Sequence, residues 1–321
     1  MGFLYSLYLL LIMESLTLDT LQNLRLACVN RSIYEKNYNH VFTHKITDEG
    51  KPVSNQKASG RCWLFAALNA MRIPFMKDLN VEEFEFSHGF LFFYDKIERA
   101  NFFLNKIVEI YSFQKISLLC RKKGTAKEDI LKEIDGYMKI IYRIIAICLS
   151  IPPEKFYQKY VKPLWNVSEH ICLVSDPRPE NPIGKAYTVD YLGNTIGGLP
   201  IIYNNQSIDT LLSISAKSIK DGSAVWCGLD MTMFHKSKGI MDLDLFDHEL
   251  MFGTKLVLGM EKADRLRYFD SAMGHAVNLT GVSFDDNGEP SKWRIENSWG
   301  KDFGEDGYLS MTNEWFREFR V

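Results

Sequence analysis

Cys62 stands where a polar stretch, Ser54-Asn55-Gln56-Lys57-Ala58-Ser59-Gly60-Arg61, gives way to the apolar run Trp63-Leu64-Phe65-Ala66-Ala67-Leu68. That run continues at helical spacing through Met71 and Phe75, so the pattern predicts a helix that opens at Cys62. A thiol at such a position meets the free N–H groups and partial positive charge of the first turn, which favour the thiolate, the form that attacks carbonyl carbon. Gln56, six residues earlier, can bring its amide beside the Cys62 backbone N–H and hold the oxygen that turns negative as an acyl carbon becomes tetrahedral. Taken alone, Cys62 reads more plainly as a buried cysteine at a helix start; the Gln-x5-Cys-Trp context turns the reading toward a nucleophile.

A cysteine nucleophile needs a base, and the base needs a group to orient it. Gly274 to Val282 alternates well enough to predict a half-buried strand with His275 at its start, and Lys292 to Gly300 predicts a second strand that ends at Asn297. The Asn297 amide can accept from one ring nitrogen of His275 and leave the other for Cys62, while Trp299 shields that bond from water. A strand histidine is more often a satisfied core residue. Cys, His and Asn in this order, each in a fitting local context, favour the catalytic reading.

The chain resembles the papain-like cysteine peptidases, in their bleomycin hydrolase branch. The resemblance is carried by Asn55-Gln56-Lys57-Ala58-Ser59-Gly60-Arg61-Cys62-Trp63, Gly274-His275-Ala276 and Glu296-Asn297-Ser298-Trp299-Gly300, with further likeness at Phe84 to Ser87, Phe92 to Lys96, Asp176 to Pro179, Tyr203 to Gln206 and Asp247 to Leu250. Papain-like chains usually place the histidine about 130–150 residues after the cysteine. Here the separation is 213 residues, and the branch it resembles carries a largely helical insertion. The resemblance implies an α+β, two-lobed papain-like fold and the triad Cys62, His275 and Asn297, with Gln56 in the oxyanion hole. It further implies aminopeptidase action on peptide substrates, a cytoplasmic homohexamer with its active sites inside, and no cofactor or metal. It implies four parts: a helical lead-in at 1–49, a helical lobe with the nucleophile at 50–110, a mostly helical insertion at 111–220, and a strand-rich lobe with His275 and Asn297 at 221–321.

Three departures qualify it. A Gly-Gly segment that lines the substrate cleft in the family has no counterpart between Tyr111 and Lys132, and a second deletion precedes Phe156. The family tail that meets the substrate's free amino group would follow Phe319, whereas this sequence stops at Val321, which implies a weakened preference for free amino ends. The alternative reading is therefore a family member with an incomplete cleft and a structural or interaction role.

The remaining sequence fits a globular enzyme. Of 321 residues, 46% are hydrophobic and 13% aromatic, and the formal net charge is −2, which argues against nucleic acid as the main partner. The short basic cluster Arg121-Lys122-Lys123 reads as a solvated edge. Six scattered cysteines, one of them wanted as a thiolate, read as a reducing compartment. The apolar run Met1 to Met13 is too short to span a bilayer, has no basic lead and no cleavage site, and Met13 offers an alternative start. Of the sequons at Asn30, Asn166, Asn205 and Asn278, the last lies in the His275 strand, where no glycan fits. His248-Glu249 does not extend to a zinc motif, since Phe252 holds the second ligand's place. His40 and His44 could share a helix face, yet no third ligand accompanies them. Helices are predicted at Leu16–Leu26, Val81–Ile110, Glu128–Cys148, Ile208–Ile219 and Trp315–Phe319, a strand at Ser223–Asp230, and loops with short strands from Pro163 to Asn205.

Overall fold

A computed structural model describes residues 38–47, 49, 51–110, 127–148, 152–231, 234–235, 238–245 and 259–320. The predicted Leu16–Leu26 helix, the Met1–Met13 run, the 121–123 basic cluster and the His248-Glu249 pair lie outside these residues. Two compact units result, one from residues 1–70, 175–181 and 207–321, the other from 71–174 and 182–206.

The first unit is built on a sheet in the order β1 (His44–Lys45), β8 (His275–Phe284), β9 (Pro290–Glu296), β10 (Tyr308–Thr312), β7 (Ile240–Met241) and β6 (Phe234–His235), with β5 (Val225–Leu229) also paired to β8. Pairing is antiparallel except for β10 with β7. Registers Leu279↔Ile295, Ile295↔Leu309 and Trp293↔Met311 stack fully buried apolar side chains across three strands. Alternation along each strand sends these residues to one face. The short helix Asn313–Phe319 closes part of that core: Trp315 and Phe316 are fully buried, and Phe316 stacks on Trp293 with ring centroids 5.0 Å apart. The Thr312 hydroxyl caps this helix by accepting from Trp315 N. Helix Ile208–Lys220, capped by Ser207, buries Leu211, Leu212, Ala216 and Ile219.

Helix α1 (Cys62–Leu79) begins in this unit and continues into the second. There it is followed by α2 (His88–Ile110), α3 (Lys127–Cys148) and a small sheet in which β4 (Tyr203–Asn205) pairs with β2 (Cys172–Val174) and β3 (Ala186–Tyr187). The predicted helix from Val81 instead starts at His88. Phe84 and Phe86 pack their rings on Phe75 at 4.8 and 5.2 Å, and the buried Arg72 guanidinium donates to Phe84 O, which holds 81–87 extended. His40 and His44 share no helix: His44 lies in β1, and His40 hydrogen-bonds Lys238 O through Nε2 with its Nδ1 3.2 Å from the Glu305 carboxylate. Among the described residues no helix is long and apolar enough to cross a membrane, and no cluster suits a metal. The sequon residues Asn205 and Asn278 are fully buried.

Candidate active site

Cys62 is the first residue of α1, as the sequence predicts, with Arg61 O accepting from Phe65 N to close the first turn. The N–H groups of Cys62 and Trp63 therefore have no intrahelical acceptor. Cys62 is half-buried; it is a free thiol, as are the exposed Cys172 and the buried Cys227. The turn before the helix is tight. Lys57 adopts φ 52° and Gly60 φ 65°, Ser59 donates both N–H and hydroxyl to Gln56 O, and Lys57 N donates to Asn55 Oδ1. Glycine at 60 carries its left-handed conformation without the strain a side chain would bring.

His275 opens β8 and is 5% exposed; its Nε2 lies 2.9 Å from Asn297 Oδ1. Asn297 Oδ1 also accepts from Ser298 N at 2.8 Å. A backbone N–H can only donate, so this contact fixes which end of the amide is oxygen, and the amide in turn fixes the tautomer: His275 carries its proton on Nε2 and leaves Nδ1 free to accept another. Trp299 stacks on the imidazole at 4.4 Å and 29°, and is itself packed against Phe303 and Phe234. Burial pushes the His275 pKa down from its ordinary value, and the Asn297 bond acts against that shift.

The Gln56 segment and the Asn297 segment are zipped together. Gln56 N donates to Ser298 O at 2.8 Å, Gly300 N to Ser54 O at 3.0 Å, and Asn55 bridges Trp299. Gly300, at φ 84°, leaves only 2.5 Å between the place of a β-carbon and Asn55 Nδ2, so a side chain there would displace the Asn55 amide and strain the left-handed backbone. The Gln56 side chain is 7% exposed and its Oε1 makes no hydrogen bond. On the other side of β8, Asn278 Nδ2 donates to Ala66 O at 2.8 Å and Trp226 Nε1 donates to Trp63 O at 3.2 Å, which holds the first turns of α1 against the strand that begins at His275. All four predicted residues thus lie in one compact unit, on three segments that hydrogen bonds join. Spacing assigns no role to Ser54, Asn69 and Glu296, three buried polar groups on these same segments. The available signal was an asparagine two helical turns beyond Cys62 in an otherwise apolar stretch.

A cysteine at the start of a helix, with a histidine at the head of one strand and an asparagine one residue past the end of the strand paired with it, fits a papain-like α+β cysteine peptidase. The chain belongs to the Peptidase C1-like family, whose model matches residues 16–122 and 153–321. The unmatched stretch between them contains α3. Human bleomycin hydrolase is 39% identical over 91% of this chain and 83% of its own length. Aminopeptidase C of Listeria monocytogenes is 31% identical over 87% of this chain and 80% of its own. The crystal structure of PepW from Lactobacillus rhamnosis HN001 superposes with a TM-score of 0.76 over 95% of this chain and 91% of that one, at 26% identity. This protein is a cysteine-type peptidase.

Proposed function

We propose that the chain is a bleomycin hydrolase-like aminopeptidase that cleaves peptide bonds through an acyl-enzyme on Cys62. In the first step the Cys62 thiol gives its proton to His275 Nδ1, and the thiolate attacks the peptide carbonyl. The Gln56 amide and the Cys62 N–H hold the resulting oxyanion. The imidazolium, steadied by Asn297, protonates the leaving amine; His275 then takes a proton from water, and hydroxide releases the acid from the thioester. The observation that carries this reading is the Asn297 oxygen shared between Ser298 N and His275 Nε2, because it puts the ring proton on Nε2 and leaves Nδ1 as the nitrogen able to take a proton. Amino-end specificity, a cytoplasmic location and a homohexamer rest on the resemblance to the bleomycin hydrolase branch.

Incubation with an epoxide inhibitor of cysteine peptidases tests it. Stoichiometric modification of Cys62, lost on heat denaturation and in Cys62→Ser, accompanied by hydrolysis of an aminoacyl fluorogenic amide, is the expected result. A folded protein that stays unlabelled would instead favour a structural role for a chain lacking part of its cleft.

A further inference from the structure

Cys62 and Asn69 are seven residues apart on α1, which is about two helical turns, so they share a face. Asn69 is 2% exposed, and both ends of its amide are engaged: Oδ1 accepts from Ser54 Oγ at 3.1 Å, and Nδ2 donates to Glu296 Oε1 at 3.1 Å. Ser54 and Glu296 are themselves buried, at 2% and 4%. Ser54 lies two residues before Gln56, and its carbonyl accepts from Gly300 N. Glu296 immediately precedes Asn297 and is the β9 partner of Asn278, the residue that grips Ala66 O. A closed circuit results, from the oxyanion segment through the nucleophile helix to the asparagine strand and back through Gln56 N to Ser298 O.

Such a circuit is a costly way to fill a core. A hydroxyl, an amide and a carboxyl lose their water, and apolar side chains of similar size would pack there without that penalty. What directed bonds supply and apolar packing does not is a fixed rotation of one element against another. We propose that Asn69 is a positioning residue for the peptidase reaction, setting with Ser54 and Glu296 the rotation of the nucleophile helix against the segments that carry Gln56, His275 and Asn297. The proposal rests on the reading of Cys62, His275 and Asn297 given above. A sulfur about 4–5 Å from the helix axis moves about 0.8 Å when the helix turns by about 10°. Misplacement on the order of 1 Å is enough to cost about 10²-fold in rate.

The test uses the full chain as wild type, Asn69→Ala, Ser54→Ala, Glu296→Gln and His275→Ala. It measures thermal unfolding, kcat and KM on an aminoacyl fluorogenic amide, and the rate of Cys62 alkylation by iodoacetamide from pH 4 to 9. Asn69→Ala is expected to stay folded, to lose about 10- to 100-fold in kcat with KM within about threefold, and to alkylate more slowly on the acid side. Glu296→Gln keeps an oxygen that can accept from Asn69 Nδ2 and should recover kcat to within about threefold of wild type. A folded Asn69→Ala with wild-type kcat and alkylation profile overturns the proposal, as does a change confined to KM, or a Glu296→Gln as slow as Asn69→Ala. Should Asn69→Ala fail to fold, Ser54→Ala, which removes a single hydroxyl, decides by the same readouts. The two readings separate in the wild type: acid-side alkylation that His275→Ala abolishes upholds the triad whatever Asn69 does, and its absence removes both.

Discussion

Replacing Asn297 by alanine isolates one bond at the centre of the site. The Asn297 oxygen serves two donors, His275 Nε2 and Ser298 N, and the residue is 1% exposed. In the charge-separated pair the imidazolium carries the positive charge, and a hydrogen bond to a charged group contributes about 1.5–3 kcal/mol. At 1.36 kcal/mol per tenfold, that loss is a fall of about 10- to 150-fold in kcat/KM. The fall should stop there, because the Trp299 stack and the β8 backbone still hold the ring. The pH dependence has a definite sign. Burial lowers the His275 pKa and the Asn297 bond raises it, so removing the bond lets the pKa fall further, and the alkaline limb, where the imidazolium loses its proton, moves to lower pH. The assay is kcat/KM for an aminoacyl fluorogenic amide across pH, with circular dichroism to show that Asn297→Ala folds. An unchanged kcat/KM, or an alkaline limb displaced upward, would refute the argument. Loss as complete as in Cys62→Ser would mean that Asn297 does more than orient.

Gln56→Ala should lower kcat by about 10²–10³, the usual cost of one oxyanion donor, whereas a change in KM alone would make Gln56 a substrate-binding residue. Gly300→Ala, which forces a β-carbon against Asn55 at φ 84°, should destabilise the fold by about 1–3 kcal/mol and lower kcat as the Gln56 segment shifts; a wild-type melting temperature with wild-type kcat would contradict the zipped arrangement. Lys262, whose ammonium donates to the carbonyls of Arg317 and Arg320, has its pKa lowered to about 8, first by burial and then by the positive charge of Arg320. The folded state then sheds this proton near pH 8 while the unfolded chain keeps it to about pH 10.4, so its contribution to stability rises with pH between those values. Urea unfolding at pH 7.5 and 9.5 should show that rise in wild type and not in Lys262→Met; equal slopes in both would show that the lysine is not the source.

Much of the site is legible in the chain itself because its signals are short-ranged. Polar turn residues followed by an apolar run at helical spacing suffice to start a helix at Cys62. The strands that start at His275 and end beside Asn297 are also legible, although the first is buried from His275 to Ser283 and not on one face alone as its alternation predicts, because both of its faces are covered in the fold. The helices at Lys127–Cys148 and Ile208–Lys220 declare themselves in the same way, the second with its serine cap. Other features depend on partners far along the chain. Residues 81–87 have a helical pattern yet run extended, since Phe75 and Arg72 offer Phe84 and Phe86 better contacts than a helix would. The parallel pairing of Ser310–Met311 with Ile240–Met241 joins segments whose local sequence names no partner. The tautomer of His275 depends on Ser298 N meeting the Asn297 oxygen, and the rotation of the Cys62 helix on an amide that meets a serine from one segment and a glutamate from another. Spacing can nominate residues for chemistry, but the angles between them are set by hydrogen bonds between segments as far apart in the chain as Ser54 and Gly300, which exist only once the chain has folded.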